Sequence, residues 1–222
     1  MSGFFARLVD ETQQDREALV GIPIIQSALL GAITRDQYVA FLGQAYHHVR
    51  HTTPLLMACG SRLSREQQWL QGAIAEYIEE EIGHDEWILN DIRACGADAD
   101  AVRDGLPNEA TEVMVAYAYH QIERNNPLGF FGMVQVLEGT SVALATIAAA
   151  AIQGSLGLPE GAFSYLRSHG SLDQEHVKFF ALLMERVEGA ADQAAIVHCA
   201  KRFYRLYGDV FRSLPGSAGA TH

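Results

Sequence analysis

His169, Asp173 and His176 stand at offsets of i, i+4 and i+7. On a helix these offsets stack three side chains along one face. Two imidazoles and a carboxylate in that order make a ligand set for iron, manganese or zinc. A solvated face with a chance histidine pair is the other reading. Gly170 and the cap-like run Ser171-Leu172-Asp173-Gln174 suggest that one helix ends near Ser168 and another begins here, with His169 on an irregular turn.

Three more groups have the chemistry to join them. Glu138 is the only ionisable residue between Phe130 and Gln153. A helix apolar on every side is a buried helix. A buried carboxylate is costly unless it is paired or bound to metal. A neutral glutamic acid, or pairing with Arg124 or Arg167, is the alternative. Glu81 and His84 form a Glu-x-x-His step, the spacing by which dimetal helical bundles project two ligands inward. The candidate inner face there runs through Ile74, Ile78, Glu81, Ile82, Asp85 and Leu89, with Tyr77, His84 and Ile88 adjacent. Glu79, Glu80 and Glu86 are assigned to solvent. Finally, Tyr46-His47-His48-Val49-Arg50-His51 crowds three histidines into a turn and a half. His47 and His51 share a face, and His48 points about a quarter-turn away. His47 is the candidate ligand and His51 the candidate proton relay. Taken together, four helices offer about six ligands, enough for two iron ions with positions left open for dioxygen and substrate. Oxidation by dioxygen is the natural use of such a set, and hydrolysis at two metals is the chemical alternative.

These residues need helices to hold them, and helix signals recur. One helix is expected over about Phe4 to Leu19, and a short one after Pro23. Thr34-Arg35-Asp36-Gln37 reads as a capping box opening a helix to about Cys59, kinked by Pro54. Ser64-Arg65-Glu66-Gln67 reads as another, opening a long helix to about Cys95 that Gly96 stops. After a loop from Asp98 to Pro107, a helix runs from about Asn108 to Arg124. Asn125-Asn126-Pro127 breaks it. The apolar helix follows, ending before Gly154, then a short helix to Ser168, one to Val187, and a last one from about Asp192 to Arg212. No stretch alternates as a strand would. The expectation is an all-α bundle of seven to nine helices, one domain over residues 1–214 with a flexible tail at 215–222.

Composition narrows the use. A formal charge of -11 disfavours a nucleic-acid surface or an anionic membrane as partner. The apolar run Val134 to Ile152 is long enough to raise a membrane span. Its glutamate and its small residues favour a buried central helix instead. Cys59, Cys95 and Cys199 are odd in number and show no CxxC, so reduced structural thiols are expected. No signal peptide is read at the N-terminus, and a cytoplasmic protein acting on a small molecule is expected.

The order Glu-x-x-His, lone Glu in an apolar helix, then His-x-x-x-Asp-x-x-His resembles the haem-oxygenase-like diiron oxidases and oxygenases, over about Phe4 to Arg212. Their fold is shared with TenA-type thiaminase-II proteins and pyrroloquinoline quinone synthase. The resemblance implies a haem-oxygenase-like bundle and a homodimer. It implies two iron ions on Glu81, His84, Glu138, His169, Asp173 and His176, with dioxygen as cosubstrate. Relatives usually add a carboxylate from the first core helix, where this chain has His47 or His51, which implies one weakly held iron. Some relatives place a ligand one turn earlier on the second helix, where Tyr77 stands as a substrate-side group. The chemistries implied are N-oxygenation of amines, oxidative C–C cleavage or decarboxylation, and self-sacrificing oxidation. N-oxygenation of a small amine, as in nitroimidazole biosynthesis, is preferred. A TenA-like hydrolase, which needs a nucleophilic cysteine, or a cofactor-free oxidase is the alternative.

Overall fold

Helix-forming sequence, punctuated by proline, glycine and back-bonding threonine, produces the architecture seen in the computed structural model. It describes residues 3–216, apart from the side chains of residues 169–176. Among the described residues there is no strand. The α-helices are α1 (Phe4–Glu11), α2 (Gln13–Val20), α3 (Pro23–Leu29), α4 (Arg35–Val49), α5 (Thr52–Ser61), α6 (Gln71–Glu81) and α7 (His84–Ala94). They continue with α8 (Ala99–Asp104), α9 (Glu109–Arg124), α10 (Phe130–Leu156), α11 (Ser164–Glu185) and α12 (Ala190–Arg212).

The count exceeds seven to nine because short breaks divide expected long helices. The first breaks at Thr12, whose hydroxyl donates back to the Leu8 carbonyl at 2.7 Å, a bond that bends helices. The second breaks between Val49 and Thr52. Pro54 causes this break a turn ahead of itself, because its ring would clash with the carbonyl of Arg50. The Thr34 box forms as read: the Gln37 amide donates to the Thr34 hydroxyl at 3.2 Å, and the Thr34 amide to the Gln37 side chain at 2.8 Å. Ser64 opens a 3-10 stretch, Arg65–Leu70, before α6 starts. The loop expected at Asp98 contains α8, whose first turn the Asp98 carboxylate caps by accepting from Ala101 N at 3.0 Å.

The largest surprise lies at α11. The expected restart at Ser171 is absent, and one helix spans Ser164–Glu185. Its N-terminus is capped from α7 by Asp91, which is fully buried. Ser164 N donates to Asp91 at 3.0 Å and Tyr165 N at 2.9 Å, and the Ser164 hydroxyl donates as well. Two orphan amides of a helix start are thus satisfied by a distant side chain.

Helix α10 is the hub, packing on α3, α9, α11 and α12, while α4 packs on α7 and α5 on α6. Close approach to α12 requires Gly132, where a Cβ would lie 2.5 Å from Ala200 N. The helix is not buried all round, as the sequence suggested. Only 22% of its most apolar window is buried, and Ile147 is 58% exposed. Its outer face is largely alanine and other small residues, which cost little to expose. The Pro127–Leu156 stretch is the one described helix long and apolar enough to cross a bilayer.

Candidate metal centre

On α10, Phe130, Met133, Val134, Leu137, Glu138 and Ser141 follow one another at helical steps of three and four. They form one wall of an internal cavity of about 70 Å³. Tyr77 and Glu81, four apart on α6, form the facing wall. His48 closes it from α4, Thr52, Leu55 and Leu56 from α5, Tyr165 from α11 and Tyr207 from α12. The fold therefore brings two predicted carboxylates, 57 positions apart in sequence, to one cavity. No described lysine or arginine lines it.

The electrostatics bear on the same point. The Glu81 side chain is 11% exposed, and the Glu138 Oε2 atom is buried. Tyr77 is buried, and burial raises its hydroxyl pKa. The charges of Glu138, Glu80 and Glu81 raise it further. A phenol so placed keeps its proton throughout the physiological range. Its ring packs edge-on against Phe179, centroids 5.4 Å apart.

His84 stands behind this wall. Its Nδ1 lies 3.1 Å from Glu81 Oε2, and its ring stacks on Trp87 at 4.1 Å. The pair is not a single-helix step, because α6 ends at Glu81 and α7 begins at His84. Gly83 makes the turn with φ +90°, a conformation suited to glycine.

The histidine cluster is distributed differently from the sequence reading. His48, not His47, lines the cavity, and it meets Tyr207 edge-on at 5.8 Å. His47 is buried against Tyr46, rings 5.4 Å apart. Burial, then Arg50 and His51, lower its pKa. His51 lies off the cavity, its Nδ1 3.1 Å from the Tyr119 hydroxyl, with its pKa lowered by burial and by Arg50. A signal for His48 existed in its helical neighbours Ala45, Thr52 and Leu55, whereas His47 has Gly43, Arg50 and His51 around it. Ser141, Tyr165 and Tyr207 were also missed as cavity residues. Phe130 lines this cavity, whereas Phe131 and Phe180 belong to the closed core.

His169, Asp173 and His176 lie outside the described residues. The helix that carries them, α11, packs along α10, the helix of Glu138. Among the described residues no three His, Cys, Asp or Glu side chains converge tightly enough to hold an ion by themselves. Glu81, Glu138 and His48 instead ring the cavity from three sides. Carboxylate and imidazole donors around a buried volume without a lysine or arginine fit a hard or borderline cation such as iron.

Comparison with known proteins gives a family and a fold. The profile of a family described as iron-containing redox enzymes matches residues 39–208. No curated protein matches the chain. Among solved structures, a domain with a haem oxygenase-like fold from Shewanella denitrificans is 20% identical, with TM-score 0.85, over 97% of this chain and 98% of that one. Haem oxygenase-1 from the cyanobacterium Synechocystis, in complex with haem, is 11% identical at TM-score 0.77, over 97% and 93%. A TenA homologue from Pseudomonas syringae is 10% identical at TM-score 0.76, over 93% and 90%. These likenesses show a haem oxygenase-like fold.

Proposed function

The chain belongs to the iron-containing redox enzyme family, and from that premise we propose that it is a non-haem diiron oxidase or oxygenase that uses dioxygen to oxidise a small molecule. The observation that carries the reading is the meeting of Glu81 and Glu138 with His48 in one internal cavity that no described lysine or arginine lines. Two carboxylates and an imidazole on the lining are donors that hold iron directly, which favours non-haem iron over haem.

Glu81 and Glu138 would hold iron, with His48 on the α4 side and His169, Asp173 and His176 from α11. Iron bound there supplies the capacity to activate dioxygen. The remaining work falls to the chain. His84 Nδ1 orients the Glu81 carboxylate, as outer partners of metal ligands do. Tyr77 would present its hydroxyl to the cavity beside Glu138, burial and then the charges of Glu138, Glu80 and Glu81 raising its pKa. The apolar walls of α5 and α10 exclude water. N-oxygenation of an amine is the specific outcome we infer, by analogy with the resembling oxygenases.

A TenA-like thiol hydrolase is disfavoured by the cysteines. All three are buried, and none lines the cavity. Burial pushes the Cys59 thiol up to about 12 and, with the nearby Asp91, the Cys95 thiol up to about 11, the reverse of an activated nucleophile.

Anaerobic titration with ferrous iron tests the proposal, with bound metal counted by elemental analysis and oxygen uptake followed on mixing with air. Two irons per chain, lost in Glu81→Ala and Glu138→Ala, are expected. Absence of iron uptake, or uptake unchanged in both variants, would overturn it.

A further inference from the structure

A second cavity, of about 90 Å³, lies beside the acid-lined one. The two share Ser141, Tyr165 and Tyr207 on their walls, so these side chains stand at the boundary between them, here called the waist. Beyond the waist the lining is hydrocarbon, with Ile24, Leu29, Phe41, Leu144, Ile152 and Phe211 among its residues.

Apart from the tyrosines of the waist, the few polar groups in that lining bond to the protein itself. The Thr140 hydroxyl donates to the Val136 carbonyl at 2.5 Å and the Ser141 hydroxyl to the Leu137 carbonyl at 2.8 Å. The Tyr38 hydroxyl donates to the Ala162 carbonyl at 2.8 Å. Gln37 is engaged at both ends: its oxygen accepts from Thr34 N at 2.8 Å and its nitrogen donates to the Pro215 carbonyl at 2.9 Å. No described lysine, arginine, aspartate or glutamate lines this cavity. A polar ligand entering here would lose its water and gain little in return. A hydrocarbon would gain by leaving water.

Tyr207 marks the other end. It is buried and lines both cavities, its ring edge-on to His48 at 5.8 Å. A polar group of a bound molecule would meet hydroxyls there, with Glu81, Glu138 and His48 beyond.

We propose that the substrate has a chain-like hydrocarbon body lying in the apolar cavity and one polar head that passes the Ser141–Tyr165–Tyr207 waist into the acid-lined cavity. The head is the part that is oxidised, and in this the inference rests on the iron reading of that cavity. The body sets affinity, and selection among substrates is by length and apolarity.

Straight-chain 1-alkanols from butanol to decanol are the probe, with the matching primary amines and carboxylates as second and third arms to rank the head. Binding is measured by calorimetry on metal-free protein and on protein loaded anaerobically with ferrous iron. Affinity should rise about three- to fourfold per methylene until the cavity is filled, then level off. Ala148→Phe, which fills the apolar cavity from α10, should abolish the length dependence while leaving iron uptake unchanged. Leu144→Ala, which enlarges the cavity, should move the plateau to longer chains. Affinity that is flat with chain length would overturn the proposal, as would a length dependence that survives in Ala148→Phe with the plateau unmoved in Leu144→Ala. Length-dependent binding by protein that takes up no iron would uphold this inference and sink the iron reading. Iron uptake with no length dependence would do the reverse.

Discussion

Replacing the buried Asp91 should cost stability at the start of α11, and the pH dependence of that cost is fixed in sign. The carboxylate is fully buried and accepts from Ser164 N, Tyr165 N and the Ser164 hydroxyl. Asp91→Ala strands one buried and one part-buried amide at the start of α11. Each stranded group costs about 1–3 kcal/mol, partly offset because a buried charge is removed, which leaves a net loss of about 3 kcal/mol. At this chain length 1 kcal/mol lowers Tm by about 2–4 °C, so a drop of about 6–12 °C is expected. Asp91→Asn keeps one acceptor and should lose about half as much. Burial raises the Asp91 pKa above its usual 3.8, and the three hydrogen bonds to it only partly oppose this. The folded state then binds the proton more tightly than the unfolded state. Asp91 therefore contributes its full stability below pH 3.8, and part of that is lost as pH rises through the raised folded value. Urea unfolding between about pH 4 and pH 7 would show wild type losing ground to Asp91→Asn as pH rises, then running parallel to it. A gap that widens in favour of wild type with rising pH would refute the reasoning. So would a Tm for Asp91→Ala within about 2 °C of wild type.

Two other outcomes follow from particular contacts. His48→Ala should weaken ferrous-iron binding about 10- to 100-fold in a chelator competition assay, whereas His47→Ala, off the cavity, should leave it within about twofold; equal losses would remove His48 from the site. Gly132→Ala forces a Cβ to within 2.5 Å of Ala200 N and 2.7 Å of Ile196 O. The resulting overpacking should cost about 1–3 kcal/mol in thermal or urea unfolding.

Local signals in the sequence were reliable where a single turn of chain carried them. The Thr34 box, the Asn108 cap on Thr111 and the Asn126 cap on Leu128 form within three residues of themselves, and each is present. Misreadings arose where the deciding group was remote. Nothing near Ser164 announces a helix start, because its cap is Asp91, 73 residues away. The sequence instead suggested a short helix ending at Ser168 and a restart at Ser171, which the structure joins into one helix. The same holds in the site. Glu138 stood out by charge alone in an apolar helix, and Glu81 by its step to His84. His48 carried only the faint signal of its apolar helical neighbours, because what sets it apart is Tyr207 meeting its ring from another helix. The apolar cavity was hidden for the same reason: isoleucines, leucines and alanines on α3 and α10 read as core until the packing leaves a gap between them.

The Glu81–His84 pair shows how a correct pairing can rest on the wrong local geometry. The sequence places both on one helix and includes Ile82 on its inner face. In the structure Ile82 is 65% exposed, extended at ψ 123°, and followed by left-handed Gly83. Burial continues across the break through Ile74, Tyr77, Glu81, His84 and Ile88, in steps of three and four. The break therefore preserves the inward register. What it changes is the surroundings of Glu81. In an unbroken helix His84 would be a mid-helix residue whose amide is already bonded. Here His84 is the first residue of α7, and its Nδ1 lies 3.1 Å from Glu81 Oε2. The Ile82–Gly83 turn is therefore the feature of this sequence that sets an imidazole against the carboxylate on the cavity wall while keeping that carboxylate in the inward register.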